Sequence, residues 1–214
     1  MVKCEYFGMK IPDKVSIALK IGILFLGLIG SSSSYAVDYF WVGGTGSWSD
    51  AGTHWATTSG GAVFHGTPPT TGDAVFFDAN SFPSAGTVTL DVNGTCSDFV
   101  MGGLTNTATF VGAGTETLTV AGNLTLESAD FSGFISTIDL TGLGSISTNG
   151  ISLVNTDISI SSTGTYQLVG SGLESNDIFV NSGTFDLNGQ PVDCNTLMSN
   201  PLGCLLYTSD AADD

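Results

Sequence analysis

The chain has 214 residues, 42% of them hydrophobic, with 29 glycines and a formal net charge of −16. All four basic residues, Lys3, Lys10, Lys14 and Lys20, lie near the N-terminus, so the segment from Val37 to Gly203 carries 15 acidic residues and neither Lys nor Arg. That composition argues against nucleic acid and anionic lipid as partners, because Lys and Arg supply nearly all phosphate affinity.

The N-terminal stretch has the zones of a secretory signal peptide: Lys10, Lys14 and Lys20, an apolar run from Ile21 to Ile29, then Ser31 to Ser34 and Tyr35-Ala36. Ser34 and Ala36 occupy the small-residue positions of a cleavage site, which predicts a signal over 1–36 and a mature chain beginning at Val37 or Asp38. Met9 makes an alternative start of ordinary signal length. A membrane anchor is the competing reading, but the apolar run is about half of the ~20 residues that a span requires. The expected location is therefore exported, outside the cell or on its surface, with no span in the mature chain.

Residues 37–85 form a block dense in aromatics and glycine, Tyr39-Phe-Trp-Val-Gly-Gly-Thr-Gly-Ser-Trp-Ser-Asp-Ala-Gly-Thr-His-Trp55 at its start. Trp41, Trp48 and Trp55 recur every seven residues. Aromatic faces stack on sugar rings, so a carbohydrate-binding platform is one reading; a cap over the open edge of a repetitive β body is the other, and the favoured one. His54 and His65, with Asp50, Asp73 and Asp78, are the nearest approach to a metal-ligand group. Their spacing matches no tight zinc pattern. Calcium suits the abundant oxygen donors better, yet no calcium-loop motif occurs, and no cofactor is expected.

From Gly86 to Gly203 the text becomes short alternating runs: Val88 to Val92, Leu118 to Val120, Leu124 to Leu126, Ile138 to Leu140, Ile158 to Ile160, Tyr166 to Leu168, Ile178 to Val180 and Phe185 to Leu187. Period-two alternation of β-branched and aromatic residues predicts strands, and the class is all-β. Gly122, Gly144, Gly164 and Gly183 punctuate the runs at intervals of 22, 20 and 19 residues. A period near 20 predicts a parallel β-helix, a solenoid whose coils stack on one another with Thr, Asn and Ser ladders at the turns. A β-sandwich also yields short strands, but its Cys-Trp-Cys core is missing.

Cys96 and Cys194 read as one position in different coils, 98 residues apart. About five coils at ~4.8 Å each separate them by roughly 24 Å, far beyond the ~7 Å Cα limit of a disulfide. Two buried, unpaired thiols are expected.

The opening motif, the Pro69 and Asp78-Ala-Asn-Ser81 segments, the Cys96 strand and the closing Thr184-Phe-Asp-Leu-Asn-Gly189 together resemble exported bacterial and metagenomic β-helix proteins. Those begin with a motif like Y-W-V-G-G-x-G-x-W-S-D-x-x-H-W-A. The resemblance covers nearly all of residues 38–198. It implies a β-helical passenger of a larger surface or secreted protein, often with further modules downstream, and assigns no activity. Residues 204–214 break the pattern and resemble a translated transposon-end sequencing adapter, which implies that the natural chain continues past Gly203 into missing C-terminal domains.

Lyase chemistry of the β-helical kind needs a basic residue that this segment lacks. Glycoside hydrolysis needs only two carboxylates at a fixed separation. Asp91 and Asp98, or Asp139, Asp157, Glu174, Asp177 and Asp186, are numerous enough, but their spacing singles out no pair. The favoured reading is a non-catalytic adhesin-like stalk at the cell surface. A carbohydrate-binding or polysaccharide-hydrolysing β-helix, of the kind found in phage tail fibres, is the alternative.

Overall fold

The computed structural model describes residues 36–206; residues 1–35, where all but the last position of the expected signal peptide falls, and Tyr207–Asp214 lie outside the described residues. In chain order the strands begin with β1 (Asp38–Trp41), β2 (Gly46–Ser47), β3 (Trp55–Ala56), β4 (Ala74–Phe77), β5 (Gly86–Leu90), β6 (Gly94–Cys96), β7 (Phe99–Met101) and β8 (Ala108–Gly112). They continue with β9 (Thr117–Val120), β10 (Leu124–Leu126), β11 (Thr137–Leu140), β12 (Gly144–Ser147), β13 (Asp157–Leu168), β14 (Leu173–Asp186), β15 (Val192–Ser199) and β16 (Gly203–Leu206). One four-residue helix, α1 (Ala51–His54), precedes β3.

Each run alternates because an extended strand sends successive side chains to opposite faces. The apolar member turns inward and Thr, Ser, Asn or Asp turns outward, as in the buried-intermediate alternation of β9 and β11. The strands form three parallel ladders. The first joins β1, β4, β7, β10 and β12, then the C-terminal parts of β13 and β14, and ends on β16. The second joins β2, β5 and β8, and is carried on by single bridges such as Gly112 to Phe134 and Leu153 to Ser175, then by β14 against β15. The third joins β6, β9 and β11 to the N-terminal part of β13, the middle of β14 and the end of β15. Strands β13 and β14 bend around the corner between the third and first ladders, with register shifts on either side of Ser161.

The fold is therefore the expected all-β parallel solenoid. In the third ladder Gly94, Leu118, Ile138, Ile158, Ile178 and Leu197 stack in six successive rungs, beside Cys96, Val120, Leu140, Ile160, Val180 and Ser199. In the first, Tyr39, Val75, Phe99, Leu124, Ile146 and Leu168 form the facing column. The periodic glycines mark a stacked corner: a Cβ on Gly144 would press on the carbonyl of Gly122, and one on Gly183, at φ +78, on the carbonyl of Gly164. Only glycine lets the backbones approach so closely there.

Two expectations need correction. The parallel register starts at β1 rather than at Gly86, since Tyr39 pairs with Val75 and Gly46 with Val88. The block around the tryptophans is thus a rung of the solenoid, and only β3 and the Phe64 bridge are laid antiparallel over its edge. Cys96 and Cys194 also occupy different columns. Cys96 is buried under Val120 in the third ladder, whereas Cys194 stacks on Ser175 in the second and is only half-buried. Both are free thiols, but Cys194 sits on the last coil, where nothing described covers it.

The two ends differ. At the N-terminal end β3 pairs with the outer edge of β1 through Phe40 with Ala56 and Trp41 with Trp55. At the C-terminal end Leu197 is 39% exposed and Leu205 38%, while Ile178 and Phe185 one rung below are wholly buried. The energetics should follow this gradient. Ile158→Ala, in mid-column, is expected to cost about 2–5 kcal/mol and Leu197→Ala clearly less, measured by urea unfolding of the two variants.

Candidate functional site

The aromatic cap is built around crossed indoles. Trp41 and Trp55 meet edge to face at 5.0 Å, and Trp48 and Trp55 at 4.9 Å, the arrangement that aromatic quadrupoles favour. Their N–H groups are held internally: Trp41 Nε1 donates to Gly44 O and Trp55 Nε1 to Trp48 O, each at 2.8 Å. Phe77, Phe99 and Phe110 continue the cluster along the axis. A glycine makes room for it, since a Cβ on Gly94 would lie 2.9 Å from the Trp48 ring and 2.8 Å from Leu90.

This packing removes the proposed sugar platform from the tryptophans. Trp41 and Trp55 are 0% exposed and Trp48 1%, so no ring face is open to stack on a pyranose. Aromatic surface that does face outward includes the Phe40–Phe76 pair, half-buried on the first ladder with centroids 5.1 Å apart. Sequence reading passed over these two because they alternate with the more conspicuous Trp41 and Phe77.

The histidines belong to the cap as well. His54 lies flat on Trp41 at 4.6 Å and its Nδ1 is 2.7 Å from Val42 O. His65 stacks on Tyr39 at 3.7 Å. Their acidic neighbours in sequence serve local turns instead: Asp50 accepts from Ser47 N, Asp73 from Thr70 N and Oγ1, and Asp78 from Asn80 N. Among the described residues no three His, Cys, Asp or Glu side chains converge on a possible metal position.

The acids considered for hydrolysis are spread over successive rungs, most of them bonded from one rung to another. Asp91 accepts from Ser49 N and Oγ, at 3.1 and 2.6 Å. Asp98 Oδ1 accepts from Asn123 N, and Asn123 Oδ1 accepts from Ser145. Asp157 accepts from Asn176 Nδ2, whose own Oδ1 accepts from Asn195. Asp186 accepts from Gln167 Nε2 at 3.1 Å. Asp139 and Asp177 each keep one buried oxygen with no partner among the described residues, while Glu174 lies exposed on β14. The side-chain ladders therefore consume much of the acidic chemistry, and no facing pair stands out as acid and base.

One cleft, of about 570 Å³, opens between the stacked loops after β7 and β10; Leu104, Asn106, Ala108, Ser128 and Asp130 are among its lining residues. Hydrogen bonds from Ser132 hold the Asp130 carboxyl below its usual range. It is the only carboxylate lining that cleft. Glu116, outside it, is held low in the same way by the Thr115 hydroxyl and by nearby backbone N–H groups.

Among the described residues no helix is long and apolar enough to cross a membrane. Three stacked ladders closed by an aromatic cap define a capped parallel β-solenoid. Comparison with protein-family models, with curated proteins and with solved structures returns no match for this chain.

Three measurements probe this region. Trp48→Ala is expected to cost about 3–5 kcal/mol of stability, seen as a lowered Tm, rather than to remove a binding function from a folded protein. Burial pushes the Cys96 thiol well above its ordinary pKa, and Cys194 is raised less completely by its half-buried site. A thiol reagent on the native protein should label Cys194 and spare Cys96 until denaturant is added.

Burial also raises the Tyr166 phenol from 10.0 to about 12, and its O–H donates to Val120 O at 3.0 Å, a bond that only the neutral form can make. A pKa raised in the folded state gives stability that is complete below the unfolded value and lost as pH rises through the folded one. Stability should therefore decline between pH 10.0 and about 12. Tyr166→Phe should flatten that decline in alkaline urea titrations, since Val120 O still accepts from Thr141 N.

Proposed function

We propose that this protein is a non-catalytic, adhesin-like β-solenoid stalk exported to a bacterial cell surface, where its body displays modules that follow it in the natural chain. The observation that carries this reading is the rung-to-rung use of the outward polar groups, the Asp98–Asn123–Ser145 and Asp157–Asn176–Asn195 ladders above all. Side chains bonded to their neighbours in the next coil serve rigidity rather than turnover. The absence of Lys and Arg from Val37 to Gly203 supports the same role, because proteases that cut after basic residues find no target in the body. Acidic self-repulsion is tolerable outside the cell, where salt and divalent cations screen it.

Expression in a bacterial host with the N-terminus intact tests the export half. The mature protein is expected outside the cytoplasm, beginning at Val37 or Asp38; an uncleaved cytoplasmic product would overturn it. A polysaccharide panel tests the other half, with no hydrolysis expected.

The outward Phe40–Phe76 stack supports one alternative, a glycan contact on the first ladder. Binding on a glycan array that is lost in Phe76→Ala while the Tm holds would replace the stalk reading with that one.

A further inference from the structure

Asparagine followed by glycine is the dipeptide most prone to lose its side-chain amide, because glycine leaves the next backbone nitrogen unhindered. The chain has three, Asn93-Gly94, Asn149-Gly150 and Asn188-Gly189. The last two build the same turn. Ile151 N donates to Thr148 O and Gln190 N to Leu187 O, both at 2.8 Å, and the central φ angles are 48 and 80 in one turn and 49 and 70 in the other. Positive φ at both central residues is the type I′ turn that Asn-Gly favours.

Their surroundings differ. Gly150 N donates to Ser171 Oγ at 2.7 Å, and Asn149 Nδ2 reaches Glu127 O at 3.4 Å. Asn93 is tied down too: its Oδ1 accepts from Thr117 N at 3.0 Å, and Gly94 is buried in β6. Among the described residues neither Gly189 N nor the Asn188 amide has a hydrogen-bond partner, and both residues are exposed.

We infer that Asn188 is the chain's site of spontaneous deamidation and isoaspartate formation. The nitrogen of Gly189, giving up its proton to solvent base, attacks Asn188 Cγ; a C–N bond forms, the bond to the side-chain NH2 breaks, and ammonia leaves. Water then opens the cyclic imide at either carbonyl to give aspartate or isoaspartate. No oxidant, reductant or bound cofactor is required.

The position gives the change a structural consequence. Asn188 N donates to Asp186 Oδ1 at 2.9 Å, so a new carboxylate arises beside an existing one. Leu187 N donates to Leu206 O at 3.0 Å, the last link of β14 to β16. An isoaspartate lengthens the main chain by one methylene at that corner and loosens the last described rung.

The test is incubation of the full folded chain at mildly alkaline pH, with peptide mass mapping for exchange of –NH2 by –OH and enzymatic carboxyl methylation to count isoaspartate. Asn188 should convert several-fold faster than Asn149, with Asn93 slowest. Ser171→Ala, which frees Gly150 N, should raise the Asn149 rate towards that of Asn188. Equal rates at Asn149 and Asn188 in the native protein, or an Asn149 rate indifferent to Ser171→Ala, overturns the inference. So does an Asn188 that stays intact when folded yet converts in urea.

Discussion

Everything in this structure depends on the hydrogen bonding of each coil to the next. A single coil of about 20 residues cannot bury its own apolar side chains, and it presents two unpaired strand edges. Stacking solves both problems together. The backbone of β11 is satisfied by β9 on one side and β13 on the other, and the same contact places Ile138 between Leu118 and Ile158. With neither Lys nor Arg between Val37 and Gly203, the body has no basic side chain for ion pairing beyond its two histidines, so cohesion rests on ladders and the apolar columns inside them.

The same constraint explains the two ends. A ladder has a first and a last member, and each exposes what the middle rungs hide. At the N-terminal end the chain turns back as β3 and closes the edge of β1, while the indoles fill the lumen beneath. At the last described rung Leu197 and Leu205 are partly exposed, whereas Ile178 and Phe185 one rung below are fully buried. Among the described residues the interior therefore shades from aromatic rings at the first rungs to aliphatic side chains at the last.

Polar chemistry follows the stacking rather than the local sequence. Asp98 finds Asn123 and Asp157 finds Asn176 because the coil period brings them to one corner. Residues that looked available for hydrolysis or metal binding are mostly occupied in this way, and the histidines lie against aromatic rings of the cap. Among the features that stay open on the surface are the Phe40–Phe76 stack, the cleft beside Asp130 and the turn at Asn188.

Strand alternation, the coil period and the lack of basic side chains were determined by the sequence alone, because an inward-outward pattern and a repeated glycine corner are local features that survive without knowledge of the partner strand. The columns of Leu118, Ile138, Ile158 and Ile178 were legible for that reason. Where period and alternation are obscured, only the tertiary structure could decide. Trp41 and Trp55 belong to antiparallel partners and Trp48 to the lumen beside them, so even spacing on paper concealed a buried cluster. Cys96 and Cys194 share a local context but not a column, since loops of unequal length shift which residue of a coil meets the one below. A parallel ladder is read across coils, and the residue that covers a side chain, or leaves it open, comes from about 20 positions away.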